Sequence, residues 1–375
     1  MESPDAAGMP STSLKGEVVY IRAFDLAYDM RRQRIPSILG QPVQGYSVGP
    51  SKPAPKQGFF YRPQMVTMPS TMYETSVGPV QVSMTIKIFS VGAASIQVRI
   101  PFEVSSLEEL VTYYSLSLAG KSIETAIASV AEQVRRELEA YLVRPVPTLD
   151  AGEDYTVFCL YQLPPAEDVR HRRAEDWLME NRRAVAALLT QEQDATRLSD
   201  QEAVESTERY LTYYETDLVV TDWDAALVVG EQDGLEEVIH IMELGNVQLA
   251  ELAVYDRVLD GALDLAYRDL ARTRHVRREV SRNLREIRVD MARLNDELRN
   301  ITKFFGDWHL AKIYQNLSHR FHLNDWHGVI DVKLRTLADL YQILHQDWIN
   351  SWMMVMEFTI ILLFIIDVVL LVVGS

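Results

Sequence analysis

Alternation of apolar and polar positions marks the first half of the chain as a mixture of strands and helices. The run GEVVYIRAFDLAYD at residues 16–29 opens with a Val, Tyr and Ile signal for a strand. In VQVSMTIKIFSVGAASIQVRIPFEV two alternating stretches flank Gly92, Ala93 and Ala94, which predicts a hairpin or paired strands. Ser105 or Ser106 with Glu108 and Glu109 makes a helix start, and helical periodicity then runs on until Pro145 and Pro147. DYTVFCLYQL predicts another strand, AEDWLMENRRAVAALLTQE a helix, and DLVVTDWDAALVVG a last strand-like pair. Between Pro36 and Pro79 lie eight of the fifteen prolines and five glycines, a density that predicts a long loop or flap inserted in the domain. The expected unit is an α+β domain over residues 16–230, with the insert at 36–79 and a disordered start at 1–15.

A different period takes over at Leu235. Steps of three and four residues reach Phe305 with seventeen of 21 positions apolar, in one unbroken heptad frame. The part of that seam expected to meet another copy comprises Leu270, Val280, Leu284, Ile287, Met291, Leu294, Leu298 and Ile301. Gly245 and Gly261 are the expected bends. A shorter helix with Leu310, Ile313, Leu317 and Phe321 on one face follows, then a second frame at Ile330, Leu334, Leu337, Tyr341, Leu344 and Trp348. Residues 235–350 therefore predict a helical coiled-coil hairpin whose return arm passes directly into an apolar tail.

That tail, residues 352–373, predicts one transmembrane helix of about 33 Å, enough for a hydrocarbon core of roughly 30 Å. Fifteen of its residues are Val, Ile, Leu or Phe, together worth roughly 5 to 9 kcal/mol towards insertion. Glu357 and Asp367 cost at most about 3 kcal/mol each, so insertion wins. Asp367 must protonate, find water or meet a partner in another membrane protein.

Composition narrows the function classes. A net charge of -16 argues against nucleic-acid binding by the whole surface, but residues 268–288 are locally basic. Arg268, Arg272, Arg274, Arg277, Arg278, Arg282, Arg285 and Arg288 face only three acids there. Guanidinium groups suit RNA phosphates or anionic lipid headgroups; the alternative is a solvated flank paired with acidic protein surface. The single cysteine, Cys159, fits a reducing compartment. The start, MESPDAAGMPSTS, lacks the features of an export or Arg-rich transit signal, so the expectation is a tail-anchored protein with its body in the cytoplasm, at a bacterial inner membrane.

Enzymatic signatures are scarce. In HRFHLNDWH, His319, His322 and His327 are the candidate metal ligands by residue type, yet the spacing matches no zinc signature and a packed turn explains them as well. SLSLAGKS resembles a phosphate loop but has Ser115 where its first glycine belongs. No cofactor and no catalytic residue is expected. The leading reading is a self-associating, membrane-anchored scaffold that carries its head to a bilayer, with RNA or ribosomes as candidate partners; the alternative is a membrane-bound, metal-dependent hydrolase.

The order of VVYIRAFDLAYD, MTIKIFSVGAASIQVRIPF, VQLAELAVYDRVLD, DWHLAKIYQNLSHRF and KLRTLADLYQIL before an apolar tail resembles the family named for meiotic nuclear division and sporulation. That family is a membrane-anchored domain of unknown function, whose members include a mitochondrial inner-membrane protein that supports translation. The resemblance implies a membrane-anchored protein, here a bacterial or generic membrane version, and brings no catalytic residues.

Overall fold

A computed structural model describes residues 13–31, 33–46, 63–146, 148–149, 152–164, 172–271 and 308–373. They divide into two compact units, one of residues 13–251 with 308–323, the other of 252–271 with 324–373.

The first unit is built on a nine-stranded sheet. Its strands are β1 (Leu14–Asp25), β2 (Gln44–Gly45), β3 (Gln64–Thr75), β4 (Gly78–Ile88), β5 (Ala93–Val104), β6 (Glu153–Leu160), β7 (Tyr210–Leu211), β8 (Leu218–Thr221) and β9 (Ala225–Val229). Their order is β7-β8-β9-β6-β1-β5-β4-β3-β2. All neighbours are antiparallel except β6 and β9, which run parallel.

Strand alternation sends side chains to two covered faces. Val18 and Tyr20 of β1, Ile96, Val98 and Ile100 of β5, and Phe158 and Leu160 of β6 join one core with residues of the helices α1 (Leu107–Leu110), α2 (Ile123–Leu138) and α3 (Ala174–Leu189). The intervening residues Val19, Ile21, Ala23, Ser95, Gln97, Val157 and Cys159 are buried too, so the sheet is covered on both sides. Part of the second cover is α5 (Gln232–Ala271): its Leu244, Val247 and Ala250 pack with Ala23, Phe89 and Ala93. The other part is α6 (Trp308–Arg320), after which Phe321 meets the ring of Tyr155 at 5.2 Å between centroids.

The paired strands on either side of Gly92, the strand β6, the helix α3 and the pair β8–β9 all form where the pattern places them. Three expectations need correction. The Pro-rich insert is not all loop, because β3 lies within it. Proline is tolerated there since Pro69 sits in the register shift between Met68 and Thr71, where no ladder N–H is needed. The helix expected from Ser105 to Pro145 is broken: Ala119 (φ 51°) and Gly120 (φ 78°) turn the chain in the left-handed region before α2. There Ser122 caps α2 by accepting from the Thr125 N–H at 3.2 Å. That helix stops at Leu138, well before the prolines, and residues 142–145 pair with 27–30 instead. Thirdly, α5 is continuous through Gly245, which has a packing role. A Cβ there would lie 2.5 Å from Leu317 Cδ2, so the glycine lets α6 approach closely.

In the second unit the heptad frame is visible in burial. Leu252, Leu259 and Ala266 of α5 are buried, as are Ile330, Leu334, Leu337 and Tyr341 of α7 (Leu323–Val373). Lys333 ties the two stretches together, with Nζ 2.6 Å from both Asp256 Oδ1 and Asp260 Oδ1. Leu270 is half-buried. The remaining seam positions, Val280, Leu284, Ile287, Met291, Leu294, Leu298 and Ile301, lie outside the described residues.

Candidate functional site: an uncovered apolar helix and a buried charged seam

The end of α7 is the feature with the plainest physical consequence. From Trp352 to Val369 the helix is long and apolar enough to cross a membrane, and none of those residues is buried. Phe358 and Phe364 are 72% and 69% exposed. Rings that would each bury a large apolar area on contact with protein or lipid are left uncovered. Glu357 and Asp367 are exposed on the same stretch.

Inside the first unit lies a seam that the residue pattern did not announce. Every residue from 238 to 251 is buried, including His240, Glu243, Asn246, Gln248 and Glu251. Glu243 faces Lys87 of β4, while Asn246 and Gln248 meet β6 and α6. Lys87 makes a buried ion pair with Glu243, and the His240 ring nitrogen Nδ1 lies 3.3 Å from Glu243 Oε2. The Lys87 ammonium also sits 4.0 Å from the centroid of the Tyr46 ring, whose centroid is 4.8 Å from that of His240. Burial alone would raise the Glu243 carboxyl, but the charge of Lys87 and the hydrogen bond to His240 outweigh it and hold the group below its ordinary range. Burial lowers the pKa of His240 in turn.

Arg99 extends the seam. Its Nη2 donates to Glu236 Oε2 at 2.8 Å and to Gln97 Oε1 at 3.3 Å, and its Nη1 lies 3.4 Å from Glu17 Oε1. Further along, Asn246 donates to the Glu153 carbonyl at 2.8 Å and Tyr314 donates to Gln248 Oε1 at 2.5 Å. These contacts bind α5 to strands far away in sequence and fix its register on the sheet. No side chain here stands in the arrangement of nucleophile, base and oxyanion donor that acyl transfer needs. Cys159 is fully buried and its thiol is pushed well up by that burial, which leaves it unreactive.

Of the candidate metal ligands, His319 and His322 are neighbours, with ring centroids 6.2 Å apart. His319 is exposed beside Arg209, with Nε2 3.2 Å from Arg209 Nη2. His322 (φ 50°) ends α6 and faces Trp223 at 5.8 Å between rings. His327 belongs to the other unit. Among the described residues no group of three or more His, Cys, Asp or Glu could hold a metal ion. The turn at His322 also packs on the sheet domain through Phe321, Trp223 and Arg320, whose Nη1 is 3.6 Å from Asp222 Oδ1. Of the arginine stripe only Arg268 is described; it is exposed, and its Nε donates to the Asp264 carbonyl at 3.1 Å. Arg272, Arg274, Arg277, Arg278, Arg282, Arg285 and Arg288 lie outside the described residues.

The sequence did carry a signal for the burial of this helix, though not for its partners. Residues 238–251 contain only two charged side chains, Glu243 and Glu251, whereas residues 253–271 contain six. A helix so poor in charge is covered on more than one side.

A family model described as uncharacterized protein MJ0711, N-terminal domain, matches residues 15–236. The uncharacterized protein MJ0711 of Methanocaldococcus jannaschii is 21% identical over 222 residues, which is 58% of this chain and 65% of that relative. The chain thus aligns with less than two thirds of the relative's length, and no solved structure matches. The matched span contains Lys87 and Arg99 and ends in the second turn of α5, before His240 and Glu243. Nothing in it links the chain to the meiotic nuclear division family. By the extent of this match, the chain belongs to the family of the MJ0711 N-terminal domain.

Proposed function

We propose that the protein is a membrane-anchored scaffold, which holds its sheet domain at a bilayer through a helical stem. The observation that carries this reading is the uncovered apolar stretch of α7, continuous in one 51-residue helix with the buried positions of the stem. An apolar helical surface of that length is soluble only where lipid or protein covers it. The absence of Lys and Arg after Arg335 leaves the positive-inside rule nothing to read near the span. The head is placed on the cytoplasmic side because a large folded body stays where it is made. In this reading the seam from 270 to 301 joins copies into an oligomer, and the arginine stripe gives the stem its affinity for phosphate, in RNA or in lipid headgroups.

The test is flotation of the full chain with phosphatidylcholine vesicles, before and after extraction at alkaline pH. The wild-type chain floats in both. Replacing Leu362 and Ile365 together by Arg costs about 5 to 7 kcal/mol of insertion free energy, and that variant stays at the bottom of the gradient. A wild-type chain that is monodisperse without detergent and ignores vesicles overturns the proposal.

A further inference from the structure

The two acids of the apolar helix lead further than an anchor requires. An anchor needs only greasy residues, and each carboxylate within it opposes insertion by as much as about 3 kcal/mol. Ionisable residues inside membranes are retained where they meet a partner or line a path. On an α-helix, residues ten apart are rotated by about 80° and displaced by about 15 Å. Glu357 and Asp367 therefore share one side of α7. Met353, Ile360 and Phe364 fall on the same side and are 55%, 62% and 69% exposed.

We propose that this side docks a membrane-spanning helix of another protein that carries two basic residues about ten positions apart, one meeting Glu357 and one meeting Asp367. This inference rests on reading residues 352–373 as a membrane span. Charge complementarity selects the occupant. The span has no cation beside it, since residues 336–375 contain no Lys or Arg, and Arg335 lies about 25 Å of helix before Trp352. A second copy brings the same two acids and no base, so each carboxylate would face another. Close backbone packing of two such helices is also unavailable. Residues 352–373 contain no Gly, Ala or Ser, the small residues that let membrane helices approach tightly. With Phe358, Phe364 and many Leu and Ile on the surface, a partner stands further off, and long Lys or Arg side chains bridge that gap. Anionic headgroups are repelled by the same charges.

The experiment uses the full chain in phosphatidylcholine nanodiscs holding one copy each. The probes are fluorescent poly-leucine membrane peptides with Lys at two positions ten residues apart, with Leu at both, or with Glu at both. The Lys peptide should be retained with at least about tenfold preference over the Leu peptide, and the Glu peptide should not be retained. In a Glu357→Gln, Asp367→Asn variant the preference should vanish while vesicle flotation is unchanged. Equal retention of all peptides, or a preference that survives in the variant, overturns the proposal. So does self-association between full chains that the variant abolishes, which would name a second copy as the occupant. A wild-type chain that fails to float sinks the membrane reading itself, whereas one that floats without discriminating among peptides sinks only the docking inference.

Discussion

Two stretches of this chain have nearly the same make-up and opposite fates. Residues 238–251 of α5 and residues 352–369 of α7 are both helical, mostly apolar, and interrupted by two acids each: Glu243 and Glu251 in the first, Glu357 and Asp367 in the second. The first is buried on all sides, and the second on none. The difference lies in what else the stretch contains. In the first, His240 pairs with Glu243 of its own helix, Asn246 with a carbonyl of β6 and Gln248 with Tyr314 of α6. Besides its acids and Trp352, the second has Thr359, whose hydroxyl donates to the Val355 carbonyl of its own helix at 2.7 Å. A helix that expects protein around it carries varied polar groups with matching partners; one that expects lipid carries few. In the proposed membrane reading, Glu357 and Asp367 are the exceptions to that rule.

The largest test of the comparison is to break the answered acid. Glu243→Leu leaves the Lys87 ammonium buried beside Tyr46 without its counter-charge, and the full chain in mild detergent should lose about 3 to 5 kcal/mol in urea titrations. Adding Lys87→Met removes the orphaned charge and should restore most of that loss. A double variant as unstable as the single one would mean that the ion pair orders the seam in a way that apolar side chains cannot. Smaller, but in the same place, Gly245→Val drives a branched side chain into Leu317 and Phe321. It should cost about 1 to 3 kcal/mol, read as earlier hydrogen exchange in α5 and α6 than in α3.

Acid sharpens the comparison without a mutation. His240 has its pKa lowered in the folded chain, so below its ordinary 6.5 the unfolded chain binds a proton that the folded chain resists. Stability is fully present above pH 6.5 and falls as the pH drops below it. Glu243, held below its ordinary 4.5, adds a second loss beneath that value. The urea midpoint of the full chain should therefore decline in two stages, and His240→Gln should shrink the first stage and, since the His240 hydrogen bond helps to hold Glu243 low, the second as well. A first stage as large in His240→Gln as in the wild type would show that His240 titrates freely and is not sealed in the seam.

How much of this could be read beforehand differs by element for physical reasons. The strands β5 and β6 were legible because Ile96, Val98 and Ile100 alternate with polar neighbours, and Val157 to Leu160 form an unbroken apolar run. The apolar end of α7 was legible because nothing interrupts it but two acids. β3 was hidden by its own Pro69, which reads as a breaker until the bulge that houses it is seen. The seam was hidden for a deeper reason. Lys87 and Glu243 are separated by 156 positions, and no local period connects a lysine in an alternating strand with a glutamate in a helix. The heptad frame even pointed the other way, since Leu235, Val238, Met242 and Leu249 look like one stripe of a coiled coil. It became clear only once the sheet was seen to need a cover on its second face.

The smallest expected effect concerns another charged contact on α5, and it separates the two units most finely. Lys333 bridges Asp256 and Asp260 in the second unit, with the side chains of Lys333 and Asp256 20% exposed and that of Asp260 57% exposed. Water reaches all three groups, so the desolvation that makes the Lys87 pair costly to break is mostly absent here. Lys333→Met should therefore cost only about 0.2 to 1 kcal/mol, and 1 M NaCl, where screening acts over about 3 Å, should weaken the wild-type contact towards the variant's level. The seam pair should ignore the same salt. If Lys333→Met instead costs as much as Glu243→Leu, then the pairing of the stem helices depends on this one cation rather than on Leu252, Leu259, Ile330 and Leu337, and the apolar frame is not what holds the stem together.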